Sequence, residues 1–272
     1  AIDLDGLELQ ITNTVMTMKE GKGSSELTFQ TDISINYKIL NLTGKKIEGI
    51  NRITDWARDR SKLIYSDNTG LGNYTISFDE NGNIKTAINY KLIANIKKFT
   101  TSYETVSSVK EIKNNDYVIV LVDQRVKGAK YNFSKITPAA YVNSIGGNIM
   151  VIDIGHPQFS AKLTEGIYNF NLMVEVAKKI ANTINHESGH NLGLDDKYSK
   201  VDGNIKKGYE NNLMADSSKK ELTSEQISEI INDIFTNARI DKYWKKKTGK
   251  VQTDETVQQL EGVLKEEKLD KS

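Results

Sequence analysis

Cysteine is absent from this chain of 272 residues, and proline occurs only twice. The lack of cysteine excludes disulfide bonds, zinc–thiolate sites and a cysteine nucleophile. The scarcity of proline means that no rigid proline-rich linker divides the chain. No apolar run approaches the roughly 18 residues of a membrane span, so we expect no membrane-spanning segment.

An excess of charge of one sign is also missing. The chain has 37 Lys and Arg residues against 36 Asp and Glu residues, a formal net charge of +1. Proteins whose main partner is nucleic acid or an anionic membrane usually carry a basic excess, so neither partner is predicted. No basic-then-apolar signal peptide opens the chain, and we therefore expect a processed form or another route of export.

Histidine is scarce, and its placement is informative. His156, His186 and His190 are the only three in the chain, and two of them belong to His186-Glu187-Ser188-Gly189-His190. Positions i and i+4 share one face of a helix, so both imidazoles could reach a single metal ion. Glu187 lies on the rim of that face, where it can contact a metal-bound water. This H-E-x-x-H pattern is typical of zinc-dependent peptidases.

The apolar residues before this motif follow two kinds of spacing, the alternation of a strand and the period of a helix. Alternation from Leu27 to Ile39 predicts a half-buried strand, and residues 46–66 show the apolar face of a helix. The continuous apolar run Tyr117–Val122 predicts a strand buried on both faces, and Asn148–Asp153 predicts a further strand. The fold class is therefore α+β (mixed α/β) rather than a helical bundle.

Between the strands, Ser66–Gly72 is predicted to be a turn, and Asn81-Gly82 the tip of a hairpin. Residues 84–112 fit both a strand and a helical face. Following the hairpin signal, we expect a strand first and then a helix or loop.

After the strands, residues 167–192 predict the helix that carries the motif, ended by Gly193. Thr223 and Gln226 form a capping box for a second helix that reaches about Trp244. The charged residues 245–272 are interpreted as a solvated tail or a short docked helix.

The motif continues past His190, with Gly193 at the third position and Asp196 at the sixth. The resulting H-E-x-x-H-x-x-G-x-x-D resembles the metzincin clan of zinc metallopeptidases, in the variant of snapalysin-like bacterial members. The resemblance implies that His186, His190 and Asp196 bind Zn2+ and that Glu187 is the catalytic general base and acid. It also implies that Met214 forms the apolar floor of the site, in a Met-turn.

The resemblance further implies a twisted mixed sheet with a backing helix and an active-site helix, followed by a smaller C-terminal subdomain with the Met-turn and a final helix. The expected divisions are an N-terminal extension 1–26, an upper catalytic subdomain 27–196, a lower subdomain 197–248 and a charged tail 249–272. The family pairs substrate with an edge strand that precedes the motif helix. The candidates for that strand are Asn148, Ile149 and Met150.

Some assignments stay open between neighbouring residues. Asp195 adjoins Asp196, and only the spacing favours Asp196 as the ligand; Asp195 is then a hydrogen-bond acceptor near the site or a turn residue. His156 is the alternative third ligand, but we interpret it as a loop residue after a strand. The tyrosines nearest to the motif are interpreted as surface or packing residues: Tyr198 and Tyr209.

These patterns predict a zinc-dependent endopeptidase that acts on protein or peptide substrates. We expect it to be a monomer. The opening Asp3–Glu8 resembles the D-x-x-G-L segment that precedes the toxin domain of Rhs-repeat proteins. That resemblance implies a bacterial toxin, secreted or delivered outside the producing cell, with an encapsulating shell or a cognate inhibitor or immunity protein as partner. The alternatives are a non-catalytic zinc-binding or interaction domain, and an H-E-x-x-H that arose by chance in a core helix.

Overall fold

A computed structural model describes residues 9–47, 49–78, 86–113, 116–123, 138–143, 145–160, 174–236 and 255–266. The strands are β1 Leu9–Glu20, β2 Ser25–Asn41, β3 Asn68–Phe78, β4 Thr86–Val106, β5 Tyr117–Val122, β6 Ala140–Val142 and β7 Ile149–Asp153. The helices are α1 Ile50–Tyr65, α2 Pro157–Ser160, α3 Val174–Asn191, α4 Ser224–Thr236 and α5 Glu255–Glu266, with a short 3₁₀ turn at Val109–Glu111.

The seven described strands form one mixed sheet, in which six follow the order β3-β4-β2-β5-β7-β6 and β1 pairs with β2 outside that order. β2 is its centre: it pairs in parallel with β4 along one edge, and with β5 along the upper part of the other edge. The lower part of that second edge pairs with the antiparallel β1. β5 and β7 are parallel, whereas β3 and β6 are antiparallel to their neighbours. The predicted mixed α+β class is confirmed.

The main core lies between one face of this sheet and the helices α1, α3 and α4. The alternation in β2 directs every second side chain into this core, as its period of two predicts. Leu27, Phe29, Ile33, Ile35 and Tyr37 are all at most 3% exposed.

A second apolar cluster covers part of the opposite face of the sheet, at β5 and β7. There Leu260, Val263 and Leu264 of α5 pack on β5 and β7. All six residues of β5 are buried, which confirms the prediction of a strand covered on both faces. Within the described part of the charged C-terminal segment, Glu255–Glu266, a docked helix is observed.

Three sequence-based predictions about strands need correction. The strand expected first in residues 84–112 is longer than predicted, because β4 continues to Val106, paired with β2 from Tyr90 onward, before the short 3₁₀ turn Val109–Glu111. The turn expected at Ser66–Gly72 is shorter, since β3 begins at Asn68. Asn148, Ile149 and Met150 do not form an edge strand: β7 pairs with both β5 and β6, and all its residues are buried.

Other predictions fall outside the described residues. These are the hairpin tip Asn81-Gly82, the Rhs-like segment Asp3–Glu8 and the end of the second helix near Trp244. Among the described residues, no helix has the length and apolar character needed to span a bilayer.

Candidate metal centre

The motif lies at the C-terminal end of α3, where the helix is enclosed by protein. His186 and His190 face the same way one turn apart, with ring centroids 5.0 Å apart and ring planes at 86°. Both residues are nearly buried, with 7% and 5% of their surface exposed. The ligand atoms of His186, Glu187 and His190 all lie within 4.8 Å of one another, so this group could hold a metal ion.

Backbone carbonyls hold both rings and determine their tautomers. His186 Nδ1 donates to Leu213 O at 2.7 Å, and His190 Nδ1 donates to Leu194 O at 2.6 Å. A carbonyl oxygen can only accept, so each Nδ1 carries the proton and each neutral ring has its lone pair on Nε2. This is the arrangement by which a metal-binding imidazole is usually oriented.

Asp196 meets the two free ring nitrogens. Its Oδ1 lies 3.2 Å from His186 Nε2 and 2.9 Å from His190 Nε2. Ligands at zinc–ligand distances of 2.0–2.1 Å in a tetrahedron are about 3.3 Å from one another. With neutral rings, these three atoms are all acceptors, and they repel one another unless a cation or added protons lie between them. The donor set therefore fits a metal ion.

The pKa values of these groups show the same coupling in the metal-free protein. Burial opposes the charged form of Asp196, but hydrogen bonds from both histidines hold its pKa well below the ordinary value. Burial likewise lowers the pKa of His190, but the hydrogen bond to Asp196 and the charge of Glu187 outweigh it, so the pKa is raised above 6.5.

Glu187 is the one acid of the cluster whose carboxyl group is not fully paired. Among the described residues its buried Oε2 has no hydrogen-bond partner. Burial raises its pKa above 4.5, and the nearby histidines only partly offset this rise. A buried acceptor without a partner is costly, so this oxygen is expected to face a water or a ligand.

A chain reversal after α3 brings Asp196 back to the histidines. Gly193 has φ of 99°, and its N–H donates to His190 O, while Leu194 N–H donates to Gly189 O. This pair of bonds is a Schellman motif, which favours glycine at the left-handed position. A Cβ on Gly193 would also meet the Asp233 side chain at 1.8 Å. The prediction that Gly193 ends the helix is confirmed.

Met214 lies beneath the two histidines and is fully buried. A Cβ on Gly189, which stands between them on α3, would meet Met214 Sδ at 2.5 Å. The Met-turn is fixed by Asn212, whose Oδ1 accepts from Met214 N–H at 3.0 Å and whose Nδ2 donates to Gln226 at 2.7 Å. Gln226 also closes the predicted capping box with Thr223.

The two alternative ligands lie elsewhere. Asp195 is exposed, and its charge acts on Glu229 of α4 rather than on the histidines. His156 follows β7 in a turn, where its Nδ1 accepts from the Gln158 N–H at 3.0 Å. It does not belong to the group of converging ligand atoms found among the described residues.

Tyr198 was interpreted as a surface or packing residue, but it belongs to the site. A cleft lies above Glu187 and has two halves, one beside His186 and one beside His190. Tyr198 lines both halves. Burial and the neighbouring charge of Asp196 raise its pKa to about 12, so the phenol is protonated at neutral pH. The sequence feature that could have identified Tyr198 as a site residue is its position two residues after the predicted ligand Asp196.

The cleft itself runs along β6. Ala140 is shared by its two halves, with Tyr141 and Val142 in the half beside His190. Within the described residues β6 ends this side of the sheet. The edge strand nearest to the site is therefore Ala140–Val142, in place of the predicted Asn148–Met150.

A buried polar network, which the sequence gave no reason to expect, ties α3 to the sheet. The Tyr37 hydroxyl donates to Asn191 Oδ1 at 2.9 Å and lies 3.0 Å from Ser188 Oγ. Asn191 Nδ2 in turn donates to Gly147 O at 2.7 Å, and the Gly146 N–H donates to His190 O. These bonds fix the depth and rotation of the motif helix.

Comparison with known proteins adds no relative to this description. No family model, no curated protein and no solved structure matches the chain. The buried His-Glu-x-x-His cluster and the residues around it are therefore the features that indicate a function.

Proposed function

We propose that the protein is a zinc-dependent endopeptidase of metzincin-like type, with its active centre in the cleft above α3. The observation that carries this proposal is the convergence of His186 Nε2, His190 Nε2 and Asp196 Oδ1 beside an unpartnered carboxyl oxygen of Glu187. Two imidazoles and one carboxylate suit zinc and leave a coordination position open. Structural zinc sites are usually closed by four protein ligands.

When bound, zinc supplies Lewis-acid activation of water and of the substrate carbonyl. Glu187 is proposed to take a proton from the attacking water as the new C–O bond forms. It then gives that proton to the amine as the C–N bond breaks. Its burial supports both duties, because a raised pKa makes the carboxylate a better base at neutral pH.

Tyr198 supports the chemistry from the opposite wall of the cleft. Its hydroxyl interacts with Asp196 and remains protonated at neutral pH. We infer that it donates a hydrogen bond to the carbonyl oxygen of the substrate as negative charge develops there. An extended substrate would pair its backbone with β6, Ala140–Val142, which ends this side of the sheet within the described residues.

A non-catalytic metal-binding domain is the alternative function. The buried, unpartnered Glu187 oxygen is an observation that favours catalysis, because a structural metal site needs no adjacent acid without a partner. Delivery outside the producing cell as a toxin stays a prediction, since the segment that suggests it lies outside the described residues.

The proposal is tested by proteolysis of unfolded casein. The zinc-loaded protein is expected to cleave it, a chelator to stop cleavage, and added zinc to restore it. Cleavage that persists in chelator would overturn the role of the metal. Failure of the zinc-loaded protein to cleave either casein or a diverse peptide mixture would favour the non-catalytic alternative.

A further inference from the structure

The geometry points to a substrate preference: a basic side chain directly after the scissile bond, recognised by Asp216. This inference rests on the proposed peptidase function and concerns the two halves of the cleft. They differ in character, and the polarity of β6 assigns each half to one side of the cleaved bond.

The half beside His186 has a volume of about 390 Å³. The wall that follows Met214 supplies Ala215, Asp216 and Ser217, and Thr183 of α3 lies across from it. None of the described residues lining this half is a lysine or an arginine. Among these described lining residues, Asp216 is the one carboxylate outside the metal cluster.

The Asp216 carboxylate is held in a fixed orientation. Its Oδ1 accepts from the Ser218 N–H at 2.8 Å and from the Ser218 hydroxyl at 2.7 Å. Arg60 fixes the same wall by donating to Ser218 O at 2.6 Å. Within the described part of the chain no cationic side chain forms an ion pair with Asp216. A preorganised carboxylate without an ion-pair partner is suited to an incoming ammonium or guanidinium group.

The half beside His190 is more apolar and has a volume of about 300 Å³. Tyr141, Val142 and Ile145 line it, with the exposed Lys200 at its rim. This half favours an apolar side chain and disfavours a basic one.

The direction of β6 orders these halves along the substrate. The chain runs from Ala139, which lines only the half beside His186, through Ala140, which both halves share, to Val142, which lines only the half beside His190. A substrate strand that pairs antiparallel with β6 runs the opposite way, from the His190 half to the His186 half. The residue that follows the scissile bond therefore enters the half that contains Asp216.

The test compares two peptides that differ only after the scissile bond, with lysine in one and the similarly long, neutral norleucine in the other. The native, zinc-loaded protein is expected to cleave the lysine peptide with the higher kcat/KM. Asp216→Asn keeps an oxygen that can cap Ser218 but removes the charge. We expect it to lower the lysine-to-norleucine ratio about tenfold, the effect of one charge-assisted hydrogen bond.

Glu221→Gln is the matched control, because Glu221 is exposed, five residues away and outside the lining of the cleft. It is expected to keep the native ratio. A second readout is binding of both uncleaved peptides to Glu187→Ala with and without Asp216→Asn, where the same change in ratio should appear in Kd.

An equal rate for both native cleavages, or an unchanged ratio in Asp216→Asn, would overturn the preference while leaving the peptidase function intact. Absence of any Glu187-dependent cleavage would overturn the proposed function and this inference with it.

Discussion

The hydrogen bonds of two histidine rings determine what the cluster can bind. Because Leu213 and Leu194 carbonyls hold the Nδ1 protons, both Nε2 atoms face Asp196 Oδ1. Three acceptors at 2.9–3.2 Å need positive charge between them. A divalent metal ion supplies it without protonating the rings, and this is the physical reason for a metal at this site.

The zinc affinities of two alanine variants distinguish the proposed ligand Asp196 from its neighbour Asp195. Asp196→Ala removes a ligand, so we expect it to weaken zinc binding by more than the roughly 100-fold that changes beyond the ligands cost. Asp195→Ala alters only an exposed carboxylate and is the matched control. Competition with a chromophoric chelator measures both; a larger loss in Asp195→Ala would transfer the ligand role to it.

The pH dependence of stability should reverse when zinc binds. In metal-free protein, His190 and Glu187 have raised pKa values, so the folded state holds extra protons and loses stability as pH rises through those values. Zinc binding instead requires neutral rings and releases protons, so its stabilisation grows as pH rises.

Thermal unfolding from pH 6 to 8 measures this contrast. With chelator, the Tm should fall as pH rises because of these two groups; with excess zinc, the stabilisation over the metal-free protein should increase. A zinc-induced increase in Tm that is the same at every pH would contradict the release of protons on zinc binding.

The motif helix is positioned from three sides. Tyr37 and Gly147 hold its end through Asn191, the Schellman motif turns the chain at Gly193, and Met214 packs on Gly189. Each contact lies within one or two turns of the histidines. The separation of the ligand atoms therefore depends on packing between elements as much as on the i, i+4 spacing of the motif.

Gly189→Ala tests the packing of the Met-turn on α3. Alanine is ordinarily the better helix former by about 1 kcal/mol, but here its Cβ would overlap Met214 Sδ. We expect a net loss of about 1–3 kcal/mol in the free energy of unfolding. Chemical denaturation of the metal-free protein measures it.

The control is Gly189→Ala in the Met214→Ala background, which removes the overlap with Met214 Sδ. There Gly189→Ala should be neutral or stabilising. An equal cost in both backgrounds would show that the contact does not limit this position.

At the scale of the whole molecule, the sheet is covered on both faces at β5 and β7. α1, α3 and α4 cover one face, and α5 covers the other through Leu260, Val263 and Leu264. A charged C-terminal segment thus contributes an apolar stripe to the core.

Leu260→Ala measures this contribution. Leu260 is fully buried, so we expect the free energy of unfolding to fall by about 2–5 kcal/mol. Lys265→Ala changes an exposed residue of the same helix and should cost less than about 0.5 kcal/mol. A cost for Leu260→Ala no larger than that of Lys265→Ala would mean that α5 is not docked in solution.

The sequence predicts features that depend on local interactions and misses those that depend on long-range ones. Local signals succeeded: the alternation of β2, the double burial of β5, the stop at Gly193 and the capping box at Thr223. Long-range pairing was missed, because the continuous β4 depends on register with β2 and the edge position of β6 depends on the order of strands. Tyr198 and the Tyr37–Asn191 network were missed for the same reason.

The most direct test measures zinc content and casein cleavage together, for the native protein and Glu187→Ala. Glu187 is proposed as the general base, so its removal should leave about one zinc per chain in both proteins while abolishing cleavage. The same cleavage rate in both proteins would contradict the mechanism. A native protein that retains no stoichiometric zinc would contradict the metal centre itself.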